Sequence, residues 1–211
     1  FSLTEGILQD KSQLYGVEVH PKKNGIELHL EIASERFVLL KQHRRNLTGR
    51  TGCGLCGTES LEQVFHLPDI IEKASGAYTG LSMRSIFKAH DDMRTKQVLQ
   101  QLTGATHACA WATIDGEIQY LREDVGRHNA LDKLIGVLCK QAVHGGFILT
   151  SSRASYEMVQ KVAMSGFDVL AAISAPTGLA VRIAEEYNIT LLGFVRDQQY
   201  VAYSHVNRMT E

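Results

Sequence analysis

Three prolines in 211 residues leave no room for Pro-rich linkers. Four cysteines are too few for a disulfide scaffold. Lys and Arg total 22 against 23 Asp and Glu, so no net field draws the chain to nucleic acid or anionic lipid. Aromatics make up only 7%, which further weakens a nucleic-acid-binding reading. No apolar run approaches bilayer length, so no membrane association is expected. There is no repeat and no low-complexity tract. The chain opens on Phe1 instead of Met with no basic-then-apolar leader, which reads as a trimmed product. Sparse cysteine points to the cytoplasm.

Period-two patterning dominates the first third. Tyr15, Val17 and Val19 alternate with polar neighbours, and Ile26, Leu28, Leu30 and Ile32 alternate with Glu27, His29 and Glu31. With Asn24-Gly25 near the turn, this predicts a hairpin with one buried face. Phe37 to Leu40 follows in the same β-rich part. From Lys41 to Thr58 apolar content collapses, Lys41, Arg44, Arg45 and Arg50 meet no acid, and Gly49, Gly52, Gly54 and Gly57 punctuate the stretch, which reads as a mobile basic loop. Ser60 to His66 has capping-box spacing for a helix start. One long helix is expected over 82–102. Strands over 108–114, 118–121, 146–150, 168–173, 190–195 and 200–203 then alternate with helices over 127–143, 155–165 and 178–187. That order predicts a largely parallel sheet with crossover helices.

Two features bear chemistry. Cys53-Gly54-Leu55-Cys56 sits among glycines beside Arg44, Arg45 and Arg50, which would stabilise a thiolate and leave it open to a partner. Such a thiolate can take up sulfane sulfur as a persulfide. A structural zinc half-site is the competing reading, but no second CxxC exists, since Cys109 and Cys139 fall singly in apolar elements. Reactive sulfur is favoured, with no metal and no zinc.

The second feature is a set of loops where parallel strands should end: Thr150-Ser151-Ser152-Arg153, Ser174 to Gly178, and Arg196-Asp197. Carboxyl ends of parallel strands bind ligands in α/β folds. Hydroxyls, arginine and helix-start N–H groups suit phosphate, and Asp197 could accept paired guanine N–H groups. The plain alternative makes Ser152 and Thr177 caps and leaves Arg153 in solvent. His107, after a glycine turn, and the polar run Glu123 to Asn129 are possible pocket lining. There too plain roles compete: Asp124 as a cap, Arg127 as its ion-pair partner, His128 on a helix surface.

On these residues the chain resembles the formate dehydrogenase accessory sulfurtransferases. The stretches carrying the likeness are Phe1 to Gly6, Arg50 to Gly57, Thr103 to Ala108, Glu123 to Lys133, Thr150 to Ser155 and Ser174 to Thr177, spanning essentially the whole chain. The resemblance implies an α/β fold, namely a cytidine-deaminase-like three-layer α/β domain with a smaller β-rich N-terminal part, usually dimeric. Patterning along the chain divides it into a β-rich part over 1–45, a basic CxxC loop and connection over 46–78, and a cofactor-binding domain over 79–211. The resemblance also implies a cysteine desulfurase that loads sulfur on Cys53, with Cys56 as partner. The sulfur then passes to the molybdenum bis-guanine-dinucleotide cofactor of formate dehydrogenase.

Leu192, Gly193, Phe194, Val195, Arg196 and Asp197 match the segment implicated in holding that dinucleotide. Guanosine diphosphate is its expected surrogate, with Ser151, Ser152, Arg153, Thr177 and His107 around it. Two departures stand out. More chain is expected before Phe1, and Ala105 and Cys109 stand where Gly and Ala are usual. A zinc deaminase, the rival on the same fold, needs His-x-Glu followed by Pro-Cys-x-x-Cys; His107-Ala108-Cys109 lacks the glutamate. The remaining alternative is a non-catalytic zinc-binding CxxC adaptor or cofactor chaperone.

Overall fold

The computed structural model describes residues 1–42 and 80–210. Of the expected basic loop only Lys41 and Gln42 are described, and they end a helix; the rest of it, Cys53, Cys56, the helix start at Ser60 and the whole 46–78 connection lie outside the described residues. Three helices pack on one face of a six-stranded sheet and one long helix on the other. The strands are β4 (His107–Ala112), β5 (Ile118–Asp124), β6 (Phe147–Thr150), β7 (Val169–Ala172), β8 (Thr190–Arg196) and β9 (Gln199–Ser204), in spatial order β5-β4-β6-β7-β8-β9. β4 shows why both faces are covered. Ala108, Ala110 and Ala112 face α2 (Met83–Lys96), which brings Ile86, Ala89 and Met93. Cys109 and Trp111 face α4 (Arg127–Lys140), α5 (Tyr156–Met164) and α6 (Gly178–Glu186). Alternation along one buried strand thus feeds two cores.

The expected largely parallel sheet is corrected to a mixed one. Only β6–β7 and β7–β8 pair in parallel; β4 runs antiparallel to both its neighbours and β8–β9 is a hairpin. The cause is connection length. Asp115-Gly116 and Asp197-Gln198 close tight hairpins, whereas the crossovers through α5 and α6 return the chain in parallel. At Gly116, φ is +77° and an added Cβ would meet the Ser85 carbonyl oxygen at 2.2 Å, so glycine is needed there.

The predicted helix over 82–102 divides in two. α2 stops at Lys96 and α3 (Val98–Thr103) begins after Gln97. The Glu123 carboxylate on β5 accepts from the Leu99 and Gln100 N–H groups at 2.9 and 2.8 Å, a long-range cap that favours the new start.

The N-terminal part holds β1 (Leu14–Lys22) and β2 (Gly25–Ile32) as an antiparallel hairpin, then α1 (Ser34–Gln42), which contains Phe37 to Leu40. The expected buried face is corrected: Val19 is 57% and Leu28 57% exposed, because no described element covers the ribbon. Two two-residue strands, β3 (Leu81–Ser82) and β10 (Met209–Thr210), pair in parallel. Among the described residues, no helix is long and apolar enough to cross a membrane.

Candidate functional site

The carboxyl ends of β6, β7 and β8 and the amino end of the reversed β4 open onto one cleft of about 630 Å³. Each strand end fixes one polar group there. Ser151 extends the β4–β6 ladder: its N–H donates to the Ala108 carbonyl at 2.9 Å and its Oγ accepts from the Ala108 N–H at 2.8 Å. The hydroxyl is thereby held at the cleft wall. His107, the first residue of β4, is half-buried beside it. Burial lowers its pKa from the usual 6.5 and the Arg127 guanidinium pushes the same way, so the ring is neutral at pH 7.

β8 delivers Arg196 and Asp197 by an irregular route. Its register with β9 shifts between Gly193 and Arg196, and Phe194 adopts φ +53°, an uncommon conformation for an aromatic residue. Gly193 makes this possible: a Cβ there would meet Pro176 Cδ at 2.8 Å and Tyr203 Cε2 at 2.9 Å. The Arg196 guanidinium lies 5.9 Å from the Phe194 ring centroid. Asp197 and Gln198, at φ +52° and +57°, form the two-residue turn of the β8–β9 hairpin.

The opposite wall comes from helices. His90 and Arg94, four residues apart on α2, and Gln97 and Gln100 at the α2–α3 junction line the cleft. The Gln100 side-chain oxygen accepts from the Thr106 N–H at 2.8 Å, and the Thr106 hydroxyl donates to Glu123 at 3.1 Å. The capping carboxylate that separates the two helices therefore also sets the rim. Two arginines, two imidazoles, amides and one carboxylate suit a ligand with anionic groups and a paired N–H face.

Of the residues expected around a nucleotide, His107, Ser151, Arg196 and Asp197 line this cleft. Leu192, Gly193 and Val195 are buried within β8, and Phe194 is half-buried. Ser152, Arg153 and Thr177 do not line it. Ser152 is buried, with its Oγ 2.9 Å from Thr150 Oγ1; Arg153 is exposed; Thr177 caps α6 by accepting from the Ala180 N–H at 3.2 Å. His90, Arg94, Gln97 and Gln100 were not foreseen, although the i, i+4 spacing of His90 and Arg94 placed them on one helix face.

The Glu123–Asn129 run performs structural work. Asp124 accepts from the Gly126 N–H at 2.9 Å at the start of α4 and pairs with Lys133. Burial pushes its carboxyl up, but the Lys133 ammonium, the Gly126 N–H and the Asn129 amide together hold it below the usual value. His128 fits neither reading offered for it, not lining the cleft and not lying on the surface: it is buried, with Nε2 3.0 Å from Ser155 Oγ and 2.9 Å from Glu157 Oε2. It sits on the α4 face turned toward α5.

Comparison with known proteins adds to this geometry. The pattern of the FdhD/NarQ family matches residues 1–210. The sulfur carrier protein FdhD of Cupriavidus necator is 53% identical over 211 residues, spanning 99% of this chain and 72% of that protein. The protein of the same name from Bordetella petrii is 48% identical over 212 residues, spanning 99% and 74%. A solved structure described as a putative formate dehydrogenase accessory protein, from Desulfotalea psychrophila, aligns over 100% of this chain and 76% of its own. Its TM-score is 0.70 at 20% identity, which shows a shared fold.

Proposed function

Because this chain belongs to the FdhD/NarQ family, we propose that it is a sulfur carrier serving formate dehydrogenase. In this reading Cys53 is the carrier and Cys56 its partner. The Cys53 thiolate attacks the terminal sulfur of a cysteine desulfurase persulfide. A new S–S bond forms at Cys53, the desulfurase S–S bond breaks, and the desulfurase cysteine leaves as a thiolate. Delivery to the molybdenum bis-guanine-dinucleotide cofactor, the substrate, would break that S–S bond and release Cys53 as a thiolate, with the two electrons that reduce the sulfur coming from the substrate's reduced molybdenum.

The observation carrying the reading is the cleft. In this reading Arg94 and Arg196, which line it, take phosphate oxygens, and Asp197, in its two-residue turn, takes the guanine N–H pair. His107 and Ser151, both half-buried, offer a neutral donor or acceptor each. Helices on both faces of the sheet support the finer likeness to cytidine deaminases. A homodimer in the cytoplasm, acting without zinc, completes the proposal.

Mass spectrometry after incubation with a desulfurase and cysteine tests the carrier step. One added sulfur that survives Cys56→Ala and disappears in Cys53→Ala is expected. No added sulfur, together with stoichiometric zinc lost on replacing either cysteine, would establish the adaptor instead. Calorimetry with guanosine diphosphate against adenosine diphosphate tests the cleft, and equal or absent binding removes the role given to Asp197.

A further inference from the structure

The charged face of the β1–β2 hairpin carries a cluster that neither sulfur transfer nor nucleotide binding uses. Glu18 is the cross-strand partner of His29, and His20 of Glu27. The two imidazoles are therefore diagonal neighbours on one face, with ring centroids 4.5 Å apart. His20 Nε2 lies 3.1 Å from Glu18 Oε2, and His29 Nε2 lies 3.0 Å from Glu27 Oε1. One donor atom each from Glu18, His20 and His29 falls within 4.8 Å of the other two.

We propose that Glu18, His20 and His29 bind a borderline divalent transition ion such as zinc, with Glu27 available as a fourth donor. This departs from the metal-free reading of the sequence and concerns a site apart from the CxxC. Two imidazoles and a carboxylate form a ligand set for zinc, nickel or copper, whereas magnesium and calcium take oxygen donors. Metal–ligand bonds of about 2.1 Å put donor atoms roughly 3.4 Å apart on a tetrahedral ion. Exposed side-chain ends need to close by only about an ångström to reach that spacing.

The strand ladder fixes the rows from which these side chains rise, so binding orders little backbone. Each ring coordinates through one nitrogen as a neutral imidazole and keeps its proton on the other. The cation also offsets the local excess of Glu18, Glu27 and Glu31 over Lys22 on this face. A bridge between strands would clamp a ribbon that no described element covers.

The test is calorimetric titration of zinc chloride into the full chain carrying Cys53→Ser and Cys56→Ser, which removes the thiolates as competitors and makes the result independent of the sulfur-carrier reading. One equivalent is expected. His20→Ala and His29→Ala should each weaken it by at least about tenfold, with the circular dichroism spectrum unchanged because both side chains are solvent-facing. Magnesium chloride should give no comparable binding. Absence of zinc binding in the cysteine-free chain, or binding that survives His20→Ala and His29→Ala together, overturns the proposal.

Discussion

At the residue scale, burial decides which groups can react. Cys109 is fully buried between the sheet and α4, and that desolvation pushes its pKa up to about 12 despite a weak hydrogen bond from its thiol to Thr150 Oγ1. Cys139 is half-buried on α4 and shifted upward for the same reason. Neither supplies a thiolate near neutral pH, so iodoacetamide should leave Cys109 unmodified in the native chain and label it only after unfolding. Peptide mapping checks this, and labelling at a rate matching an exposed thiol would contradict it. His107 gives a pH prediction. Its folded pKa lies below its unfolded value, so between the two the unfolded chain holds more protons. Its contribution is full above about pH 6.5 and declines as pH falls through the folded value. His107→Gln should therefore flatten the loss of stability on acidification in that window, read from urea midpoints. Phosphate in the cleft favours the protonated ring, so guanosine diphosphate should bind more tightly as pH falls below 6.5, and the variant should lose that dependence.

At the element scale, β8 carries the cleft because of how it bends. Gly193 lets the strand pass against Pro176 and Tyr203, and the register shift that follows turns Arg196 and Asp197 to the cleft. Gly193→Ala should cost about 2 kcal/mol through overpacking, seen as a lower urea midpoint. It should also weaken guanosine diphosphate binding, because Phe194 cannot hold its position; an unchanged nucleotide affinity would argue that the bulge does not set the site. Local signals revealed the strand but not its bulge. The apolar run Thr190–Val195 is visible in sequence, whereas the bulge depends on contacts with Ser174–Pro176 and Tyr203 that only the folded sheet creates. The break at Gln97 follows the same logic, since its cap, Glu123, comes from another element. The hairpin shows the reverse case: alternation disclosed both strands and which face is apolar, but it carries no information on what lies over that face. Four cleft residues were legible because they terminate recognisable strands. His90 and Arg94 were not, since a helix face becomes a cleft wall only once the sheet is placed opposite it.

At the scale of the whole molecule, one buried ion cluster ties the N-terminal segment to the helical layer. Lys161 on α5 is 6% exposed and donates to Asp132 on α4 at 3.0 and 3.1 Å, to Glu5 at 2.8 Å and to Thr4 at 3.0 Å. Thr4 in turn donates to Asp132 at 2.6 Å. The same segment is gripped from its other side, where Arg36 on α1 donates Nε to the Ile7 carbonyl at 2.8 Å. Residues 1–8 therefore link α1 with α4 and α5, which gives a physical role to the opening stretch that carried part of the family likeness. Lys161→Ala leaves the Asp132 carboxylate buried without its main counter-charge, at a cost of about 3 kcal/mol or more. Replacing both partners, as in Lys161→Met with Asp132→Leu, removes the stranded charge and should recover most of that stability, since a buried pair contributes little net energy over apolar packing. Thermal and urea unfolding of the single and double variants measure the coupling directly. Sulfur loading at Cys53 in the double variant then separates two roles for the cluster. Full loading means that it only holds the N-terminal segment in place, whereas impaired loading at restored stability means that the position of this segment also governs access to the carrier cysteine.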